Sequence, residues 1–457
     1  MIHKYQLGGF YIVLDVNSGG VHLVDELTYA ILDAVQAPFP AECPAAVTEA
    51  LSAKFDKEEI LACYAEILEL AAAGVLDSED TFTQYGAVSV PSPIKALCLH
   101  VSHDCNLRCA YCFAATGDFG VGRKLMDAET GKKAIDFLVA NSGDRVNLEV
   151  DFFGGEPLMS WNAVKEIVTY ARGLEKQIGK RFRFTMTTNG MLLDDDKIDY
   201  LNEEMSNVVL SIDGRKEVHD RVRPCPNGSG SYERILPMFR KLVAQRGPKD
   251  YYVRGTFTKY NLDFSEDVWH LYEQGFDQIS VEPVVAPADM PYALTEAELD
   301  TIAAEYEKLA QRMLENEKKG GKFNFFHFSI DLNNGPCAIK RLRGCGSGND
   351  YVAITPEGDI YPCHQFVGIE DYRMGSIHDG SFNADLKAKF AAAHVGNKPE
   401  CRECWAKFYC SGGCNANNYL YEGDILKPHK ISCKLQQKRL ECAIMMQAAR
   451  YAAKESE

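Results

Sequence analysis

Between Ala96 and Val281, six short apolar runs alternate with five amphipathic ones, and no other feature of the chain restricts its fold so tightly. The apolar runs are Ala96–Ser102, Leu148–Phe153, Phe182–Thr188, Val208–Ile212, Tyr252–Phe257 and Gln278–Val281. Each is short and apolar, which reads as a strand. Between them, Met126–Ala140, Trp161–Gln177, Asp196–Asn202, Tyr232–Gln245 and Phe264–Gln274 read as helices. Strands that alternate with helices predict parallel βα units joined by right-handed crossovers. The string suits a partial (β/α)6 barrel or a doubly wound open sheet, and pattern alone does not choose. An α/β barrel places its chemistry at the C-terminal ends of its strands, and the motifs of this chain follow those ends.

The 457 residues include 16 cysteines. The opening Met1–Leu7 lacks the charged-then-apolar pattern of a signal peptide. No apolar run approaches the roughly 18 residues of a membrane helix. A cytoplasmic chain with reduced thiols is therefore expected. With 65 acidic against 49 basic side chains the net charge is −16, which disfavours a nucleic-acid partner and a polybasic membrane role. The cysteines are grouped. Cys105, Cys109 and Cys112 share one short loop, and Cys337, Cys345, Cys363, Cys401, Cys404, Cys410, Cys414 and Cys433 fall near the C-terminus. Such grouping under reducing conditions points to metal or iron–sulfur ligation. Cys43, Cys63, Cys98, Cys225 and Cys442 fit no ligand spacing, and Cys98 is expected in the core. His327, His364 and His429 are isolated and read as structural.

Three thiolates on one loop suit a [4Fe–4S] cluster whose fourth iron stays open for a chelating substrate, whereas electron-transfer clusters normally take four cysteines. A zinc loop completed by His100 or His103 is the alternative. With Tyr111 before its last cysteine, the Cys105-x3-Cys109-x2-Cys112 spacing resembles the radical S-adenosylmethionine (SAM) superfamily. The resemblance continues in Gly154-Gly155-Glu156-Pro157 after the second strand, Thr187-Thr188-Asn189-Gly190 after the third, Ser211-Ile212-Asp213-Gly214 after the fourth, and His219–Arg223 beyond. It implies that the three cysteines bind the catalytic cluster and that Gly154, Gly155 and Glu156 hold the SAM ammonium. Thr188, Asn189, Ser211 and Asp213 would line the SAM site. Arg223 would pair with the SAM carboxylate and Tyr111 would contact adenine. A carboxylate suits an ammonium, and a guanidinium suits a carboxylate. The implied chemistry is the cofactor's: one electron cleaves SAM, and a 5′-deoxyadenosyl radical takes hydrogen from an unactivated carbon.

The C-terminal spacing, Cys401-x2-Cys404-x5-Cys410-x3-Cys414 with Cys345, Cys363 and Cys433 around it, resembles the SPASM module. That family carries two auxiliary [4Fe–4S] clusters. By resemblance the second takes Cys401, Cys404, Cys410 and Cys433, and the first takes Cys345, Cys363 and Cys414, with Cys337 the possible fourth ligand. Without Cys337, one iron would stay open to a substrate thiolate. A pair of zinc sites is the alternative. Three [4Fe–4S] clusters and SAM are thus the implied cofactors.

Ahead of the barrel, a strand at Tyr11–Val16, a turn at Asn17–Gly20, a strand at Val21–Val24 and helices at Glu26–Val35 and Lys57–Ala73 resemble a winged-helix-like recognition element for precursor peptides. Such an element adds a leader peptide as an extra strand. The segments Lys4–Asp25 and Gly335–Tyr351 resemble those of the maturases of six-cysteine SCIFF peptides. That implies intramolecular thioether formation, from cysteine sulfur to a carbon of an acceptor such as Thr. The implied partners are a Cys-rich precursor peptide, its leader bound at the N-terminal domain, and a ferredoxin or flavodoxin reductant. The expected organisation is a recognition domain over 1–90, the barrel over 94–290, a bridging helix and linker over 291–336, the SPASM domain over 337–440 and a terminal helix over 441–457. Formylglycine formation of the anaerobic sulfatase-maturase kind, or another SPASM peptide modification, is the enzymatic rival. A non-catalytic Fe–S electron carrier is the rival from a different class.

Overall fold

A computed structural model of the chain describes residues 1–81, 89–332 and 338–455. The first elements are β1 (Ile2–Leu7), β2 (Phe10–Asp15), β3 (Val21–Val24), α1 (Glu26–Ala34), α2 (Ala45–Leu51) and α3 (Lys57–Ala72). The three strands form an antiparallel sheet in the order β1-β2-β3. Alternation along β2 divides its side chains between two cores. Val13 joins Ile31, Val47, Ile60, Tyr64 and Ile67 in a small core of this region. Ile12 and Leu14 join the main core. β1 was not expected, although Gly8 and Gly9, both at positive φ (61° and 84°), form the two-residue turn that pairs it with β2.

β1 docks on the long C-terminal helix Lys430–Glu455 and on Trp405, which lies between the short helices Pro399–Arg402 and Lys407–Cys410. The His3 ring stacks on Trp405 with centroids 3.7 Å apart, and its Nε2 lies 3.1 Å from Glu441. The Tyr5 hydroxyl donates to the Glu441 carbonyl at 3.0 Å. Among the described residues β3 pairs only with β2, so β3 is the free edge of this sheet.

The larger unit runs through β4 (Ala96–Ser102), α4 (Ala128–Asn141), β5 (Asn147–Gly154), α5 (Trp161–Ile178), β6 (Arg181–Thr188), α6 (Asp195–Glu204), β7 (Asn207–Ser211), α7 (Lys216–Val222), α8 (Tyr232–Gln245), β8 (Asp250–Phe257), α9 (Phe264–Glu273), β9 (Gln278–Pro283) and α10 (Leu299–Lys318). Its strands lie parallel in unbroken chain order, from β4 to β9. A doubly wound sheet reverses direction at a switch point. None occurs here, so the fold is the α/β partial barrel. One face of each strand is buried under helices, as with Phe182, Phe184 and Met186 of β6. The alternate residues Thr185 and Thr187 are half-buried on the inner face. β10 (Asn324–Phe325) extends the sheet beyond β9. At the other edge β11 (Tyr351–Ile354) pairs in parallel with β4, Tyr351 opposite Ala96 and Ile354 opposite Leu99. The antiparallel strands β12 (Asp359–Tyr361), β13 (Gly375–Ser376) and β14 (Ser381–Phe382) complete an eleven-stranded sheet. Among the described residues no helix is long and apolar enough to cross a membrane.

Candidate functional site

The three-cysteine loop leaves the end of β4 and is clamped by the tip of β5. Gly155 N–H donates to the Ser102 carbonyl at 2.7 Å, and Glu156 N–H to the Asp104 carbonyl at 2.8 Å. The approach is so close that a Cβ on Gly154 would lie 2.1 Å from the Ser102 carbonyl oxygen, and one on Gly155 2.1 Å from that of Asp104. Gly154 also sits at φ 128°, open only to glycine. From behind, Pro224 and Val222 accept the backbone N–H groups of Arg108 and Ala110. The Cys105 sulfur receives Leu107 N–H at 3.4 Å and Asn189 Nδ2 at 3.6 Å. Burial, with Glu156 next, pushes this thiol up to about 11. Donors aimed at the sulfur favour the thiolate that a cluster ligand must be.

Glu156 is buried, and its carboxylate ties two strand tips together. It accepts Leu158 N–H at 3.0 Å, the Thr188 hydroxyl at 2.7 Å and Asn189 N–H at 2.8 Å. Burial raises its pKa to about 7 against these donors. Asn189 in turn donates to Asn106 Oδ1 at 2.8 Å, next to Cys105.

Asp213, beyond the end of β7, is the second hub. Its buried carboxylate takes Arg223 through Nε at 2.9 Å and Nη2 at 3.1 Å, the Tyr111 hydroxyl at 2.8 Å and Thr256 N–H at 2.9 Å. Burial works against the Arg223 charge, but Asp213, Tyr111 and Cys109 outweigh it and raise its pKa further. His219 supports the hub from below. Its Nδ1 accepts Asp213 N–H at 3.3 Å, and its Nε2 lies 2.9 Å from Ser231 Oγ. Ser211 ends β7, half-buried. The structure thus gathers every residue expected around SAM onto one rim. It also shows Glu156, Tyr111 and Arg223 engaged with protein partners.

The inner face of β8 and β9 also carries a charged pair that no sequence motif marks. Arg254 Nη2 lies 2.7 Å from Glu282 Oε2, with the two side chains 48% and 35% accessible. Burial tends to raise the Glu282 pKa, but Arg254, His327 and Arg439 draw it down to about 2. The alternation in Tyr252-Val253-Arg254-Gly255-Thr256 was the available signal for an inward Arg254. His327, read as isolated, bonds Arg439 Nη1 at 3.1 Å and Ser280 Oγ at 3.2 Å.

The zinc-loop alternative finds no support. His100 Nδ1 and His103 Nε2 bond each other at 3.0 Å, and both rings are buried among Phe119 and Phe153. Among the described residues no three His, Cys, Asp or Glu side chains close on a point that could hold a single metal ion. A tetrahedral zinc needs its sulfurs about 3.8 Å apart, from bonds of about 2.3 Å. A multi-iron cluster asks for a wider spread.

In the C-terminal domain Cys401, Cys404, Cys410 and Cys433 line one cavity of about 290 Å³, walled also by Trp405 and Lys407. Four thiols around one space fit a four-cysteine cluster. Burial raises the pKa of Cys363 and Cys414, with Cys414 and Cys345 adding to the first and Cys345 to the second, so these three also share a neighbourhood. Cys337 lies outside the described residues. Cys98 is buried in the core, as expected. A cluster on Cys105, Cys109 and Cys112 with SAM beside it supplies reductive sulfonium cleavage and, through it, hydrogen abstraction from unactivated carbon.

A barrel with three thiols at its mouth and seven more in a domain that continues its sheet defines a SAM-dependent iron–sulfur protein. Residues 99–259 match the family model of the Radical SAM superfamily. Residues 345–405 match that of SPASM, the iron–sulfur cluster-binding domain, so the chain carries a radical SAM domain joined to a SPASM domain. The cysteine-type anaerobic sulfatase-maturating enzyme of Clostridium novyi is 24% identical over 69% of this chain and 86% of its own length. The antilisterial bacteriocin subtilosin biosynthesis protein AlbA of Bacillus subtilis is 26% identical over 75% of this chain and 72% of its own. Among solved structures, native anSMEcpe with bound AdoMet and Kp18Cys peptide covers 78% of this chain and 99% of its own, at 21% identity and TM-score 0.64. Streptococcus suis SuiB bound to precursor peptide SuiA covers 94% of this chain and 98% of its own, at 16% identity and TM-score 0.54.

Proposed function

We propose that the chain is a peptide maturase that joins a cysteine sulfur to a carbon of an acceptor such as Thr within a ribosomally made, Cys-rich precursor peptide. The observation that carries this reading is the β3 edge, unpaired among the described residues, on a small sheet attached to a radical SAM domain. An extended leader adds to such an edge through main-chain hydrogen bonds. Leu23, on β3 itself, is exposed as an apolar anchor. Residues 1–90 would be the winged-helix-like recognition domain, 94–290 the catalytic barrel, 291–336 the bridge, 337–440 the auxiliary-cluster domain and 441–457 the terminal helix segment. The likeness to SuiB and AlbA, named for a precursor peptide and for bacteriocin biosynthesis, supports a peptide substrate.

In this reading Gly154, Gly155 and Glu156 orient the SAM ammonium and Arg223 its carboxylate. Tyr111 contacts adenine, and Thr188, Asn189, Ser211 and Asp213 hold the surrounding loops. Cys345, Cys363 and Cys414 hold the first auxiliary cluster with room for a substrate thiolate. Unchanged auxiliary iron in Cys337→Ala is the expected result. Cys401, Cys404, Cys410 and Cys433 hold the second. The reaction removes two hydrogens per bridge. One leaves as a hydrogen atom to 5′-deoxyadenosine, the thiol loses a proton, and one electron is taken up within the protein. A cytoplasmic ferredoxin or flavodoxin supplies the electron for SAM cleavage.

The test is anaerobic reconstitution with iron, sulfide, dithionite and SAM, using as substrate any short Cys- and Thr-rich peptide found to be encoded beside the gene. Mass spectrometry is expected to show a loss of two hydrogens per bridge, with 5′-deoxyadenosine released. Release without any change in the peptide would end the thioether reading. Likeness to the Clostridium novyi enzyme favours a second reading, formylglycine formation on a sulfatase. A sulfatase peptide converted without the leader-binding sheet would favour it.

A further inference from the structure

Lys398 carries an ammonium into the cysteine-rich domain, and among the described residues no carboxylate is seen to meet it. The residue is fully buried. Its Nζ donates to the Gly412 carbonyl at 2.7 Å and to Asn415 Oδ1 at 2.8 Å, both neutral acceptors. Among the described residues no Asp or Glu pairs with it. A buried ammonium costs several kcal/mol unless an anion compensates it. The anion is set by position. Gly412 lies between Cys410 and Cys414, and Asn415 directly follows Cys414. The Lys398 carbonyl accepts Cys401 N–H at 3.0 Å. Asn415 Nδ2 reaches Ser347 Oγ at 3.3 Å, two residues beyond Cys345. Cys401 and Cys410 belong to one auxiliary set, Cys345 and Cys414 to the other. The ammonium sits on the loop that both sets share.

We propose that Lys398 is the common counter-charge of the two auxiliary iron–sulfur sites and raises the reduction potential of both. A fixed positive charge favours the more negative, reduced state of a cluster, and local charge and hydrogen bonding are the protein's levers on that potential. Burial in a low-dielectric interior strengthens the effect over that of a surface lysine. The inference rests on the iron–sulfur reading of these cysteines but not on the peptide substrate.

The test uses full-length protein with Cys105, Cys109 and Cys112 replaced by Ala, reconstituted with iron and sulfide, so that only auxiliary sites titrate. Lys398→Met removes the charge, and Lys398→Arg keeps it. At equal iron content, both auxiliary signals in an EPR-monitored redox titration are expected at lower potential in Lys398→Met and close to the parent in Lys398→Arg. Unmoved potentials in Lys398→Met overturn the proposal. If Lys398→Met takes up no auxiliary iron while Lys398→Arg does, the need for the charge is upheld. Loss in both variants makes the role steric and refutes it. A parent protein without auxiliary iron refutes the iron–sulfur reading itself, and this inference with it.

Discussion

Asp213→Ala is the sharpest perturbation available at the barrel rim. The carboxylate is wholly buried and holds Arg223 through two N–H groups, with Tyr111 and Thr256 as further donors. Its removal leaves a largely buried guanidinium uncompensated, which costs about 3–5 kcal/mol. At ~2–4 °C per kcal/mol for a domain of this size, Tm falls by about 6–20 °C. Tyr111→Phe removes one hydroxyl donor to the same charge and costs about 1.5–3 kcal/mol. Combining Asp213→Ala with Arg223→Ala relieves the stranded charge, so the double variant falls short of the summed single costs by about 2 kcal/mol. Circular dichroism melts of iron-free protein without SAM measure all four, because bound cofactors would otherwise add their own stabilisation. Strict additivity, or an Asp213→Ala melt within ~2 °C of wild type, would falsify the view of Asp213 as the charge hub.

Gly155→Ala forces a Cβ to within 2.1 Å of the Asp104 carbonyl oxygen. It is expected to cost about 1–3 kcal/mol by overpacking and to lower iron uptake at the three-cysteine loop, read by iron analysis. Cys404→Ala is expected to lose about four of roughly twelve irons per chain, and an unchanged count would remove Cys404 from the ligand set. Burial holds the His219 pKa down to about 4. The unfolded value is about 6.5, so stability is complete above that pH and declines as pH falls toward 4. Urea melts at pH 7 and pH 5 should show a smaller acid loss in His219→Gln, and equal losses would count against the buried neutral ring.

The strands of the barrel were legible because parallel strands under helices read as apolar runs. Ala96–Ser102 was read without error, and β5 to β9 within a few residues of their ends. Barrel order was not legible, because neighbour relations are set by the whole sheet. α2 escaped notice since it is short and buries only Val47. α7 escaped likewise, with His219 and Val222 its buried residues. Cysteine grouping was readable from spacing alone, as loop length limits how thiols can meet. The Tyr111–Asp213 bond, spanning 102 residues, and the Lys398 contacts had no such local signal. Glu156 was recognisable as a functional carboxylate, but its donors on the next strand were not.

The pairing of β11 with β4 makes the catalytic mouth and the cysteine-rich extension parts of one plate. Four consecutive residue pairs fix their offset, and the three-cysteine loop leaves the same β4 that β11 borders. The spacing between the two halves is therefore held by a ladder of backbone bonds rather than by a tether. Grafting a foreign extension onto this barrel would have to reproduce that ladder. A splice displaced by a single residue would turn each β11 side chain to the opposite face and put the thiols that follow it out of alignment with the mouth.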